Sequence, residues 1–207
     1  MKTLYQCCKI LADKLHSGMF RNDGVTPYIK HPIDVVGTLI SAGVTENWIL
    51  GAAILHDVKE ENPKAFQHKY LKDMFEEYFP EETEAYAEEI GLIVDAVDDL
   101  TFHPEYYGEF FKNDRLNRKV QKARYLADFI EMSDEVIMIK VADRLCNVRD
   151  FMKTDIKYAK RYFEYAYILF DEYNRRVEFG DALCAEIEKL YEDLFPQHES
   201  KMKRKEH

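Results

Sequence analysis

At 207 residues, 46% of them hydrophobic and 33% charged, the chain can close an ordinary globular core without disulfide or metal staples. Its formal net charge of -10 excludes a basic surface for a nucleic acid polymer, so an anionic ligand would have to be met by locally concentrated cations or by a metal. Cys7, Cys8, Cys146 and Cys184 form no C-x-x-C pair and no run approaches the roughly 18 apolar residues of a membrane span, which argues against a zinc cage, a disulfide framework or a membrane protein and makes the cytoplasm the expected location.

Helical periodicity begins at once. Over 2–16, Leu4, Cys8, Leu11 and Leu15 share one face at three- and four-residue spacing, and the charges scattered through MKTLYQCCKILADKLH leave no apolar core for a secretion signal. A loop, SGMFRNDGVTPYIK, follows. Pro32 at a first helical position makes His31 the expected cap of a helix running to about Ser41. Thr45 is the expected N-cap of the next, which runs through ENWILGAAILHDVKEE as one helix until Asn62-Pro63 stops it. Further helices are predicted near 65–78, 83–98, 115–131, 134–151, 156–177 and 181–194. Between them, DLTFHPEYYGEFFKND (99–114) is the longest irregular segment, an aromatic loop or lid. No alternating run argues for a strand. The expectation is therefore an all-α fold, a single domain over 1–195, and a charged tail at 196–207 without apolar periodicity.

Three short stretches carry groups suited to chemistry. In ILHDVKEENP, Asp57, Glu60 and Glu61 lie at i, i+3 and i+4 on one helical side, with His56 displaced by one residue. A metal ion would let His56 and Asp57 converge and would relieve repulsion among the acids; a solvated acidic helix end with a satisfied histidine is the alternative. In EVIMIKVADRLCNVRDF, Lys140, Asp143 and Asn147 form one stripe with Arg144 beside it, on a helix otherwise rich in Ile, Val and Leu. Burying them unpaired would be costly, so one another, solvent in a cleft or a ligand must satisfy them. In YIKHP, His31 stands at a helix mouth, where a lone histidine is as readily structural. Together His31, His56, Asp57 and Asp143 offer two imidazoles and two carboxylates, a set suited to Mn²⁺, Fe²⁺ or Zn²⁺ with positions left for water or substrate oxygens.

At this point the chain resembles the HD-domain phosphohydrolases, and more narrowly the hydrolase domain of RelA/SpoT-type alarmone enzymes and their single-domain relatives. The resemblance rests on RNDGVTPYIKHP (21–32), AAILHDVKEENP (52–63), LIVDAVDDLT (92–101), IKVADRLCNVRDF (139–151) and RYFEYA (161–166), in the family's order. It implies a helical bundle holding one Mn²⁺, or another divalent transition metal, through His31, His56, Asp57 and Asp143. It implies that Glu60 and Glu61 occupy the family's Glu-Asp pair, which orients or deprotonates the attacking water. It also implies that Arg21 packs on the substrate base and that Lys140, Asn147 and Tyr162 line the nucleotide site. Arg144 matches a basic residue of that site and equally suits a structural ion pair. Two departures stand out: Glu61 replaces the family's Asp, one methylene longer, and Lys59 occupies a place that is commonly apolar.

The resemblance thus implies removal of the 3′-pyrophosphate from (p)ppGpp, a small guanine nucleotide, to give GDP or GTP and pyrophosphate. The same ligands would also serve another nucleotide, such as NADPH or a nucleoside monophosphate, and a non-catalytic sensor or scaffold module is the remaining alternative. Since the resemblance leaves only the C-terminal end unassigned, no nucleotide-synthesising domain is expected. The 14 tyrosines and 13 phenylalanines fall mostly at helical spacing and are read as core and interface. FEYAYILFDEY (163–173) is expected inside the bundle, with a homo-oligomer contact as its alternative.

Overall fold

The computed structural model describes residues 1–67, 69–178 and 180–196; of the expected charged tail, residues 197–207 lie outside the described residues. Among the described residues the regular structure is helical, and an isolated bridge between Phe20 and Pro27 is the only extended pairing, in accord with the all-α expectation. No helix among them is long and apolar enough to cross a membrane. The chain divides into two compact units, Met1–Asp128 and Phe129–His207.

The first unit contains α1 (Leu4–Leu15), α2 (Lys30–Ser41), α3 (Asn47–Leu55), α4 (Val58–Glu61), α5 (Leu71–Tyr78), α6 (Pro80–Ala85), α7 (Ala87–Leu100) and α8 (Asp114–Asp128), with a 3-10 turn at Pro104–Tyr107. Its centre is α3. Every residue from Ile49 to Leu55 is buried, because this stretch has no polar face to offer water. Helices α1, α2 and α7 pack around it. The approach is close at Gly51, where a Cβ would stand 2.8 Å from Cys8 Sγ on α1 and 2.9 Å from Ile93 Cδ1 on α7. Only glycine fits there without displacing a neighbour. A capping box opens α1: Thr3 Oγ1 accepts from Gln6 N–H, and the Gln6 side chain accepts from Thr3 N–H.

Several boundaries differ from those predicted, for local reasons. Helix α2 begins at Lys30, so His31 lies within the first turn instead of capping it. Proline is tolerated anywhere in a first turn, where the N–H has no intrahelical acceptor, so Pro32 does not fix the start to one residue. Glu46, not Thr45, is the residue at the N-cap of α3, and it makes no side-chain cap. The helix predicted through His56 and Asp57 breaks there, leaving α4 as one separate turn. The run predicted at 83–98 divides at Tyr86 (φ -119°, ψ 30°) into α6, with Pro80 at its start, and α7.

The second unit holds a 3-10 turn at Phe129–Glu131, α9 (Asp134–Thr154), α10 (Ile156–Arg176) and α11 (Ala182–Leu194). Each helix carries a polar N-cap: Ser133 accepts from Val136 N–H, Asp155 from Lys157 and Tyr158 N–H, and Asp181 from Leu183 and Cys184 N–H. Helix α10 lies along α9, and α11 closes against both. Within FEYAYILFDEY, Phe163, Ala166, Leu169, Phe170 and Tyr173 are buried, with the Phe163 and Phe170 ring centroids 5.0 Å apart, whereas Tyr165, Tyr167 and Ile168 face solvent.

Candidate functional site

In the first unit the loop after α1 turns on itself before α2 begins. Arg21 N–H donates to Thr26 O (2.8 Å) and Tyr28 N–H to Met19 O (2.9 Å), while the Asp23 carboxylate accepts from Val25 and Thr26 N–H. This closed loop delivers Tyr28 and then His31 to the end of α3. His56, fully buried, holds Nδ1 2.8 Å from Ala53 O. A carbonyl only accepts, so Nδ1 carries the proton and Nε2 is left to face outward. Asp57 sits at φ -100°, ψ -4°, in the sparsely occupied bridge between helix and strand geometry. There its Oδ1 lies 3.1 Å from His56 Nε2 and its Oδ2 3.7 Å from His31 Nε2. The two imidazoles meet edge to face, centroids 5.3 Å apart, with a ring nitrogen of each within 4.8 Å of the other.

This donor set fits a divalent cation. With Nδ1 protonated, a neutral His56 turns a lone pair toward a carboxylate oxygen at 3.1 Å, two electron-rich atoms that a shared cation reconciles.

Tyr28 was not singled out from the sequence, although it lies inside the quoted YIKHP. Its phenol donates to Asp57 Oδ2 at 2.8 Å, and its ring stacks 4.8 Å from His16 and 5.5 Å from the Arg21 guanidinium. Burial and the neighbouring Asp57 and Glu61 charges push the phenol far up, so it stays protonated and remains a donor. His16 is the second missed residue. It is 3% exposed, neither ring nitrogen has a hydrogen-bond partner among the described residues, and burial lowers its pKa to about 4 against the opposing pull of Asp57. Its stack on Tyr28 is a tertiary contact that helical spacing does not reveal.

The two glutamates part company. Partial burial raises the Glu61 carboxyl, and the Asp57 charge pushes the same way, against the Tyr28 phenol; Glu60 adds to the rise and Arg21 opposes it. Glu60 turns elsewhere and accepts from Phe102 N–H at 2.7 Å. Lys59 pairs with Asp98 on α7, which accounts for a charge at this place.

In the second unit Lys140 and Asp143 are buried on α9, 3.4 Å apart, and Asn147 Nδ2 donates to Asp143 Oδ1 at 2.5 Å. The polar stripe is thus joined through Asp143. Arg144 donates to the Tyr162 hydroxyl, stands 5.4 Å from that ring, and lies 3.9 Å from Asp143. Burial raises the Tyr162 phenol, and the Arg144 charge counters that rise.

The chain is 27% identical over 146 residues to the Drosophila melanogaster guanosine-3′,5′-bis(diphosphate) 3′-pyrophosphohydrolase MESH1, covering 70% of this chain and 67% of that one. It is 31% identical over 126 residues to the Mus musculus protein of the same name, covering 60% and 56% respectively. A Spiroplasma citri guanosine-3′,5′-bis(diphosphate) 3′-pyrophosphohydrolase is 29% identical over 138 residues, 67% of this chain but 16% of that longer protein. Among solved structures, a metazoan orthologue of SpoT that hydrolyses ppGpp superposes with a TM-score of 0.65 at 21% identity, covering 93% of this chain and 96% of that one, a likeness of fold. The HD-domain family model matches residues 9–167, and the chain belongs to the HD-domain family.

Proposed function

We propose that this chain is a divalent-metal-dependent hydrolase that removes the 3′-pyrophosphate of (p)ppGpp, with His31, His56, Asp57 and Asp143 as the ligand set and Mn²⁺ as the ion. The names and activity of its relatives support the substrate, and the HD-domain match includes all four ligand positions. The observation that carries the reading is His56 Nε2 facing Asp57 Oδ1 at 3.1 Å while Nδ1 is committed to Ala53 O. The four free cysteines support the cytoplasm as its compartment.

A divalent cation held by these residues would supply a water of lowered pKa and would polarise a phosphoryl oxygen. The protein's own groups do the rest. The hydrogen bond that His56 Nδ1–H donates to Ala53 O fixes the His56 tautomer, and the Tyr28 phenol fixes the rotamer of Asp57. Glu61, its carboxyl raised by burial and by Asp57, accepts the proton of the attacking water. Glu60, held by a main-chain N–H, orients that water. Lys140 and Arg144 offset phosphate charge, Asn147 and Tyr162 line the nucleotide, and Arg21 stacks on guanine. The longer Glu61 reaches one methylene further than the family's Asp and still keeps company with Tyr28.

Purified protein incubated with ppGpp and Mn²⁺ is expected to release GDP and pyrophosphate, and NADPH assayed beside it to be the poorer substrate. Absence of turnover in a metal-loaded preparation overturns the substrate. Asp57→Ala is expected to abolish metal binding and hydrolysis together, and retained hydrolysis overturns the ligand set.

A further inference from the structure

The buried face of α8 is polar where a packing helix is normally apolar. Asn117, Gln121 and Tyr125 recur at four-residue spacing, are 6%, 7% and 4% exposed, and direct their polar groups at the main chain of one preceding segment. Tyr125 donates to Leu100 O; Gln121 Nε2 donates to Gly108 O at 2.7 Å. Asn117 accepts from Phe110 and Phe111 N–H at 2.9 and 2.7 Å and returns a bond to Phe111 O at 2.6 Å. The aromatic segment is thereby strapped along its length. Gly108 (φ +66°), whose carbonyl Gln121 holds, takes a backbone conformation that other residues rarely adopt.

Burying an asparagine and a glutamine costs free energy that leucines in the same stripe would not, so the ladder is better suited to specifying one backbone path than to stability. That path ends in a single useful group. Phe102 is buried, stacked on Tyr107 at 6.0 Å and packed against Tyr125 at 5.5 Å, and its N–H meets Glu60 Oε1 at 2.7 Å.

We infer that the Asn117–Gln121–Tyr125 ladder is a positioning device for Glu60, acting through the Phe102 N–H. It rests on the proposed role of Glu60 in orienting the attacking water. The ladder residues touch neither water nor substrate; they set the direction of one carboxylate.

The test is Gln121→Met, which keeps the length of the side chain and removes the donor. A kcat about 10- to 100-fold lower is expected, with KM and Mn²⁺ affinity unchanged, since a misaimed catalytic group costs on that order. In a Glu60→Gln background the same substitution is expected to cost nothing further, because the group it aims is already disabled. Equal fractional losses in both backgrounds, or a loss confined to KM, overturn the inference. Asn117→Leu is the second variant and carries the same expectations if Gln121→Met fails to fold. The Phe102 amide resonance supplies a readout independent of turnover: it is expected to shift in Glu60→Gln and again in Gln121→Met. If the wild-type protein leaves (p)ppGpp intact, the substrate reading fails while the amide still decides the strap. A Phe102 amide indifferent to either substitution overturns it.

Discussion

Tyr28→Phe removes one hydroxyl and leaves the rest of the side chain in place. The ring is 8% exposed and stacked 4.8 Å from His16, so packing survives while Asp57 Oδ2 loses a donor at 2.8 Å. A hydrogen bond to a charged group contributes about 1.5–3 kcal/mol. Losing an outer partner of a metal ligand typically weakens affinity about 10- to 100-fold, or ~1.4–2.7 kcal/mol. The two routes agree. The 2.8 Å separation is longer than the 2.5–2.7 Å of the strongest hydroxyl–carboxylate bonds, which favours the lower part of that range. Isothermal titration of Mn²⁺ into the metal-free variant is therefore expected to give a Kd about tenfold above wild type. Circular dichroism should show unchanged helix content. A Kd within about twofold of wild type would refute the reasoning even if the melting temperature fell, since the phenol would then hold the fold and not the ligand.

Gly51→Ala would improve helix propensity by about 1 kcal/mol on an open helix. Here the new methyl meets Cys8 Sγ and Ile93 Cδ1, so a net loss of ~1–3 kcal/mol is expected in urea unfolding, partly restored by adding Cys8→Ala. Asp155→Ala strips the cap from two N–H groups of α10 and should cost ~1 kcal/mol in the same assay. His16 predicts a pH dependence. Its folded pKa of about 4 lies below the ordinary 6.5, so the unfolded chain takes up a proton first as pH falls; the stability from keeping it neutral is complete above about pH 6.5 and is lost progressively toward pH 4. Subtracting the unfolding free energy of His16→Phe from that of wild type should leave a difference that falls over this window, and a flat difference refutes the assignment.

Much of the fold was legible because periodicity and caps are local. The stripe Leu4, Cys8, Leu11 marks α1, and Ser133, Asp155 and Asp181 stand where the helices of the second unit begin. The errors fall where local chemistry is indifferent. Pro32 suits several first-turn positions equally, so His31 seemed a cap and proved to lie inside the turn. Nothing in ETEAYAEE forbids a continuous helix, yet Tyr86 leaves helical geometry between α6 and α7. The segment 99–114 offered only its aromatic content, and the side chains that strap it lie on the next helix, where Asn117 and Gln121 look like ordinary surface residues until their burial is seen.

The break at His56-Asp57 is the hardest case and the one that matters most for the site. On an unbroken helix neighbouring side chains diverge by roughly 100°, so two adjacent residues cannot easily address one point. The stretch LHDVKEE contains neither glycine nor proline, and its propensities favour continuing the helix. What opposes them comes from elsewhere in the chain. The Tyr28 phenol, 29 residues upstream, holds Asp57 Oδ2, and the Asn62 amide, one turn downstream, is bonded to Leu15 O at the end of α1. These bonds hold Asp57 at φ -100°, ψ -4°, where its Oδ1 comes within 3.1 Å of His56 Nε2. The geometry that brings this histidine and aspartate together is thus tied to a tyrosine elsewhere in the chain. That dependence is why the doublet alone says little, and why it says much more when YIKHP precedes it.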